Sequence, residues 1–175
     1  MAKPWKADKL TAAQKAKEKA DAHKTVARNR RAKHDYFIED TLEAGLVLTG
    51  TEVKALRMGR ASLSEAWVEI FDGEAWLRQA NIPEYSQGTW TNHAPTRKRK
   101  LLMHRDEITK FAQKSQAKGY TIVPLELYFL GGRAKLLIGL GKGKQEWDKR
   151  QSLREAQDNR EAQRAMRAFT KRQVR

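Results

Sequence analysis

The chain has 175 residues, of which 36 are lysine or arginine and 21 are aspartate or glutamate, so its formal net charge is +15. It contains no cysteine, which excludes a disulfide scaffold, a thiolate metal site and a cysteine nucleophile. No apolar run approaches the roughly 18 residues of a membrane span, and no secretory signal follows the N-terminus. We therefore expect a cytoplasmic protein, not bound to membranes, whose partner is a polyanion such as a nucleic acid.

The charge is divided unevenly along the chain. Residues 1–34 carry a net charge of +8, residues 35–140 carry +1, and residues 141–175 carry +6. The two ends have too few apolar residues to offset the entropy of ordering them. We therefore predict a basic disordered arm over 1–27, a folded domain over 28–144 and a basic tail over 145–175.

The first part of the predicted domain reads as strand followed by helix. Aromatic and β-branched residues predict a strand at 36–42, and a short apolar run between glycines predicts a second strand at 44–51. A short helix is predicted at 52–57, with Thr51 as its N-cap.

The next signal is a β-hairpin. Two apolar, aromatic runs at 67–71 and 74–79 flank Asp72 and Gly73, and an Asp-Gly pair between such runs is the strongest short-range hairpin signal. Two tryptophans of these runs, Trp67 and Trp76, are expected in or near the core.

The second half of the domain is predicted to be a loop, a helix and two strands. Residues 81–95 are polar and contain two prolines, whereas residues 106–118 have helical periodicity. Long apolar strands follow at 120–130 and 133–140. Five or six strands with two short helices predict a small OB-like Greek-key β-barrel, with a split sandwich as the alternative.

Catalytic and metal-binding patterns are absent from the sequence. The four histidines have no metal-ligand spacing. The glycine-rich run at 139–144 differs from a phosphate loop because Ile138 occupies the first glycine position and Gln145 follows the lysine. We interpret it as a flexible basic linker after the last strand, in which Lys142 and Lys144 can approach an RNA phosphate. An RNA-processing enzyme is therefore disfavoured, and we expect no cofactor.

Three cationic clusters lie at 28–34, at 97–100 and around 142–150. Such clusters bind phosphates in a salt-dependent way, although a solvated surface is the alternative for each of them. The tail beyond Lys144 contains neither glycine nor proline but lacks an apolar face. It is therefore expected to be a marginal helix in water and a full helix against a polyanionic groove.

Several long blocks of the sequence follow a known pattern. They are NRRAKHDYFIE at 29–39, EAGLVLTGTEVKALRMGR at 43–60, DGEAWL at 72–77, NI at 81–82, PTRKRKLL at 95–102, GYTIVPL at 119–125, IGLGKGK at 138–144 and DKR at 148–150. Together these blocks resemble the bacterial small protein B family, the partners of transfer-messenger RNA. The resemblance covers about residues 28–155.

The resemblance implies an OB-like barrel with flanking helices and no enzymatic activity. Family members bind the tRNA-like part of transfer-messenger RNA, deliver it with elongation factor Tu and GTP to stalled ribosomes, and place a helical C-terminal tail in the vacant mRNA channel. We expect the same trans-translation role here, for a monomer. A generic OB-type binder of single-stranded nucleic acid is the alternative, which competition by poly-U would reveal.

The resemblance also implies site residues. Those it implies at the RNA are Asn29, Arg30, His34, Glu43, Leu102 and Lys135; Lys142 and Lys144 are added from the basic run described above. Those expected at the ribosomal decoding centre are Trp147, Asp148, Lys149 and Arg150. Trp147 stands where some members have histidine, so stacking on a ribosomal base is the role we assign to it.

Overall fold

The computed structural model describes residues 23–88 and 92–173 of the chain. Its elements, in chain order, are β1 (His23–Arg28), α1 (Arg30–Asp35), β2 (Tyr36–Leu46), α2 (Gly50–Arg57), β3 (Trp67–Phe71), β4 (Glu74–Arg78), β5 (Arg99–Leu102), α3 (Arg105–Ser115), β6 (Tyr120–Leu130), β7 (Arg133–Gly143) and α4 (Glu146–Gln173).

The strands form one antiparallel sheet that closes on itself. The neighbour order is β1-β6-β3-β4-β5-β2-β7, and pairing of β6 with β7 completes the ring. Strand β1 lies outside the ring, on the C-terminal half of β6. The predicted fold class, a mostly β OB-like barrel with short helices, is confirmed.

Inward-facing and outward-facing side chains alternate along the strands, and the inward-facing ones fill the ring with apolar groups. Leu136, Ile138 and Leu140 of β7 are buried, as are Ala75 and Leu77 of β4. Their immediate neighbours point outward, because successive side chains of a strand lie on opposite faces. The outward face of the sheet is therefore available for function.

The predicted hairpin is confirmed, and the two long strands β6 and β7 are joined by a second one. Asp72 and Gly73 have φ angles of 50° and 69°, and Gly131 and Gly132 have φ angles of 55° and 76°. Two consecutive left-handed residues form the turn whose twist matches that of the flanking strands. The expectation for the two tryptophans needs correction, because Trp67 is 41% exposed and Trp76 is half-buried.

Two boundaries in the first half differ from the sequence predictions. The strands expected at 36–42 and 44–51 are one continuous strand, β2. Helix α2 begins at Gly50 after Thr49, not after Thr51. The reason is that the Glu52 carboxylate accepts a hydrogen bond from the backbone amide of Thr49, 2.7 Å away, which places Glu52 at the third helical position.

The N-terminal boundary of the folded domain also needs correction. Residues 23–27 were assigned to the disordered arm, but they belong to β1. The Thr25 hydroxyl donates to Glu126 at 2.6 Å, and the rings of His23 and Tyr128 stack 4.3 Å apart. These contacts come from β6, about a hundred residues away in sequence, so local composition does not reveal them. The expected arm over residues 1–22 lies outside the described residues.

The basic run at 97–100 was predicted to be a phosphate-binding cluster, and the structure uses much of it internally. Arg99 is fully buried, and its Nε donates to Glu52 at 2.8 Å. Arg97 also donates to Glu52, at 2.7 Å, and Lys100 forms an ion pair with Glu74. A buried carboxylate thus holds two of the four cations, Arg99 in the core and the partly exposed Arg97 at its edge.

The glycine-rich segment after Leu140 is strand, not a flexible linker. Strand β7 continues to Gly143, which pairs with Tyr36. A Cβ atom at Gly141 would lie 2.9 Å from Tyr36 Cβ, and one at Gly139 would lie 2.9 Å from Leu125 Cδ1. The glycines are therefore required by close packing against neighbouring strands.

Candidate nucleic-acid interface

One line of paired residues crosses four strands on the outward face of the sheet. Leu102 of β5 pairs with Gly45 of β2, Gly45 pairs with Lys135 of β7, and Lys135 pairs with Tyr128 of β6. Directly paired residues share a face of the sheet. Glu43 lies two residues before Gly45 and therefore on the same face. We call Glu43, Leu102, Tyr128 and Lys135 the sheet interface.

The polar centre of the sheet interface is a carboxylate held by two donors. Lys135 Nζ lies 3.0 Å from Glu43 Oε1, and the Tyr128 hydroxyl donates to Glu43 Oε2. The hydrogen bond from Tyr128, followed by that from Lys135, lowers the pKa of Glu43. Burial, followed by the bond to Glu43, raises the pKa of Tyr128. Glu43 is thus an anion that holds Lys135 in place on the sheet.

This geometry specifies what each group offers a ligand. An ammonium group has three donors, so Lys135 keeps donors for a phosphate while it is bound to Glu43. Glu43 repels phosphate, but its carboxylate has acceptor sites for a base amino group or a ribose hydroxyl. The site therefore offers donors that suit a phosphate and acceptors that suit a ribose hydroxyl, and RNA binding at it stays a prediction.

Leu102 supplies an apolar surface beside these charges. It is 55% exposed, and it lies against Gly45, where a Cβ atom would approach Leu102 Cβ to 3.2 Å. Glycine at position 45 therefore lets Leu102 lie flat on the sheet. An exposed leucine next to a charged pair suits contact with a base or ribose face.

Tyr128 reads in the sequence as one more apolar strand residue. It is only 6% exposed, so it serves the sheet interface through its hydrogen bond to Glu43 and not as a contact surface. Its partner in stacking, His23, had been placed in the arm. A periodicity signal existed, because Glu126 and Tyr128 are two apart in β6 and share its outward face. The pairing of β6 with β7, which brings Tyr128 to Lys135, is visible only in the tertiary structure.

Asn29 has a different environment from the sheet interface. Its Oδ1 accepts from the amide of Ala32, and its Nδ2 donates to the carbonyls of Leu63 and Pro124, each at 3.1 Å. These bonds join the start of α1 to two other segments. The side chain is therefore committed to internal hydrogen bonds, and a role at RNA stays a prediction.

Arg30 and His34 lie on α1. Arg30 is exposed, and His34 Nδ1 lies 2.8 Å from Asp35 Oδ1. The His34 bond, and more weakly Lys149 at 3.5 Å, lowers the pKa of Asp35. Asp35 therefore connects α1 to the first turn of α4.

Lys142 and Lys144 lie at the end of β7, next to aromatic rings. Lys142 Nζ is 6.0 Å from the centroid of Tyr120, and Lys144 Nζ is 4.6 Å from that of Phe37. Lys144 Nζ also donates to the Lys33 carbonyl at 3.0 Å. This cluster is basic and aromatic, a combination common at nucleic-acid surfaces, but it is separate from the sheet interface.

The residues expected at the decoding centre begin α4. Trp147 lies in its first turn, and Asp148, the third helical residue, accepts at Oδ2 from the amide of the N-cap residue Gln145 at 3.2 Å. Lys149 contacts Asp35, whereas Arg150 is exposed. The four residues thus lie where the tail leaves the domain. Their role at the ribosome is not tested by these contacts.

Comparison with known proteins supplies the family. A family model described as "SmpB protein" matches residues 26–168. The chain belongs to the SmpB family. The resemblance inferred from the sequence blocks is therefore confirmed.

Curated relatives are similar over most of their length. An SsrA-binding protein of Leifsonia xyli subsp. xyli is 65% identical over 151 residues, which are 86% of this chain and 94% of that protein. An SsrA-binding protein of Streptomyces avermitilis is 62% identical over 157 residues, which are 90% of this chain and 89% of that protein.

A solved structure has the same architecture. It is described as "tmRNA-SmpB: a journey to the center of the bacterial ribosome" and matches with a TM-score of 0.60 and 44% sequence identity. The match covers 73% of this chain and 93% of the solved chain.

The described part of the chain has neither a membrane-spanning helix nor a metal-binding cluster. Its helices lack an apolar stretch of the length that a bilayer requires. Within 23–88 and 92–173, no three histidine or acidic side chains are grouped so that they could hold a metal ion.

Proposed function

We propose that this protein binds transfer-messenger RNA in the cytoplasm and carries it to stalled ribosomes for trans-translation, without being an enzyme. The observation that carries the proposal is the sheet interface, in which Lys135, Glu43 and Leu102 meet on one exposed face of a chain that belongs to the SmpB family. These three residues are far apart in sequence, and the family resemblance implies each of them at the RNA.

The remaining parts of the proposal concern delivery. The protein acts as a monomer together with elongation factor Tu and GTP. The tRNA-like part of the RNA lies on the sheet interface, and α4 enters the vacant mRNA channel. The charge of the tail supports this placement, because nine basic and five acidic residues follow Gln145, and such a helix suits a channel lined by RNA phosphates.

Lys135→Ala is expected to weaken binding of transfer-messenger RNA in a mobility-shift assay. A lysine that neutralises one phosphate contributes to affinity and to salt dependence, so the slope of log K against log salt should fall by about one. Lys110→Ala is the matched control, because Lys110 also forms a surface ion pair, at 3.0 Å to Asp40. Equal affinities and slopes for the two variants would remove Lys135 from the interface.

Glu43→Gln separates the two roles of the carboxylate. The amide keeps the shape but loses the charge that holds Lys135, so affinity should fall while the salt slope stays near that of the wild type.

Poly-U in excess should compete poorly with transfer-messenger RNA for the wild-type protein. Efficient competition would favour a generic binder of single strands.

A further inference from the structure

The β3–β4 hairpin presents an aromatic surface on the part of the barrel formed by β3, β4 and β5. Val68 and Leu77 of the hairpin are buried in the core, so the alternate residues point outward. These outward residues are Trp67, Glu69, Phe71, Glu74, Trp76 and Arg78. Phe71 is 68% exposed and Trp67 is 41% exposed. Exposed aromatic groups at this density indicate an interaction surface.

We call these outward residues of β3 and β4 the hairpin face. Their carboxylates are paired with cations, and one further lysine lies over an aromatic ring. Glu69 accepts from Arg78 at 2.7 Å, and Glu74 is paired with Lys100. Lys98 Nζ lies 5.1 Å from the centroid of the Trp76 ring. Among the residues that the structure describes, no carboxylate lies within ion-pair distance of Lys98. The face therefore presents neutralised carboxylates, aromatic rings and an uncompensated positive charge.

The hairpin face continues into the sheet interface. Trp76 pairs with Lys100 of β5, and Leu102 follows two residues later on the same outward side. Leu102 in turn pairs with Gly45. A strand of RNA bound at Lys135 can thus pass over Leu102 and reach Trp76 without leaving the outer surface of the barrel.

We propose that the hairpin face binds an unpaired RNA base, which stacks on Trp76 and Phe71 while Lys98 contacts the adjoining phosphate. Aromatic rings combined with lysine and arginine are the usual platform for single-stranded nucleic acid. The core of a protein–protein interface is instead depleted of charged residues, so RNA fits this face better than a protein partner. The inference rests on the proposed function, because we assign this base to the same RNA that the sheet interface binds.

The test compares the affinities of matched protein variants for two RNAs. A labelled single-stranded hexaadenylate is titrated by fluorescence anisotropy, and transfer-messenger RNA is titrated by mobility shift. Phe71→Ala and Trp76→Ala should each lower the affinity for the hexaadenylate at least about fivefold, whereas Trp76→Phe should keep most of it. Phe71 is so exposed that its removal leaves the fold intact, and Met58→Ala, at a 52% exposed position outside the hairpin, is the control.

The outcomes distinguish this inference from the proposed function. Unchanged affinity of Phe71→Ala and Trp76→Ala for both RNAs would overturn the inference. The proposed function would still be upheld if Lys135→Ala weakens binding of transfer-messenger RNA. Loss of ribosome association, measured by co-sedimentation, without loss of affinity for either RNA would also overturn the inference, because the face would then bind the ribosome and not this RNA. Failure of the wild type to bind transfer-messenger RNA would refute the proposed function, while the hexaadenylate titration would still report on the hairpin.

Discussion

Replacing Glu52 by glutamine is expected to lower the free energy of unfolding by about 3–5 kcal/mol, because it leaves a buried arginine without its counter-charge. Glu52 and Arg99 are both fully buried, and Arg97 donates to the same carboxylate. Glutamine has the same shape, so the loss comes from the charge and not from a cavity. Urea unfolding followed by circular dichroism measures it.

Two further variants test this explanation. Glu69→Gln is the matched control, because Glu69 accepts from Arg78 at 2.7 Å but its side chain is 31% exposed; its loss should be about 1 kcal/mol or less. Adding Arg99→Met to Glu52→Gln should recover part of the stability, since the uncompensated cation is then removed. Equal losses for Glu52→Gln and Glu69→Gln would contradict the assigned role of burial.

The Glu52 cluster also predicts the response to acid. Burial raises the pKa of Glu52, but hydrogen bonds from Arg97, from the Thr49 amide and from Arg99 outweigh it and lower the pKa from 4.5 to about 2. A carboxyl with a depressed pKa in the folded state contributes its full stability above the unfolded value. That contribution is therefore lost as the pH falls from 4.5 toward 2. The stability difference between wild type and Glu52→Gln should narrow across this interval.

Truncation after Gln145 is expected to abolish peptide tagging on stalled ribosomes while leaving the affinity for transfer-messenger RNA nearly unchanged. The sheet interface and the rest of the barrel remain in the shortened chain, whereas all of α4 is removed. A reconstituted trans-translation reaction measures tagging, and a mobility shift measures binding. Tagging by the truncated protein would refute the proposed placement of the tail.

A proline in α4 tests whether peptide tagging requires the helix itself or only its positive charge. Gln163 lies in the middle of α4 and is exposed, so Gln163→Pro keeps every charge but opposes the helix by about 3 kcal/mol. Tagging should fall strongly for Gln163→Pro and stay near the wild-type level for Gln163→Ala. If both variants tag equally well, charge alone is sufficient and the helix is not required.

Much of the fold follows from local patterns. The alternation of apolar residues, two turn dipeptides and the helical period of 106–118 identify most strands and helix α3, because each depends on neighbours within a few residues. The blocks shared with the SmpB family imply Glu43, Leu102 and Lys135 at the RNA, which stays a prediction, and strand pairing places the three on one face of the sheet. The sequence signals for α1 and β1 were weaker, since α1 is short and β1 depends on pairing with β6.

What the sequence by itself determined is the separation of a nearly neutral domain from a strongly basic tail, the barrel class and the family. What only the tertiary structure decided is how each charge is used. Nothing in the sequence distinguishes Arg97 and Arg99 from Lys135 as cations. In the structure Glu52 holds Arg99 in the core and Arg97 at its edge, whereas Glu43 holds Lys135 on the surface. The physical reason is that the environment of a charge is set by strand pairing across long sequence distances, and no local pattern of residues records that pairing.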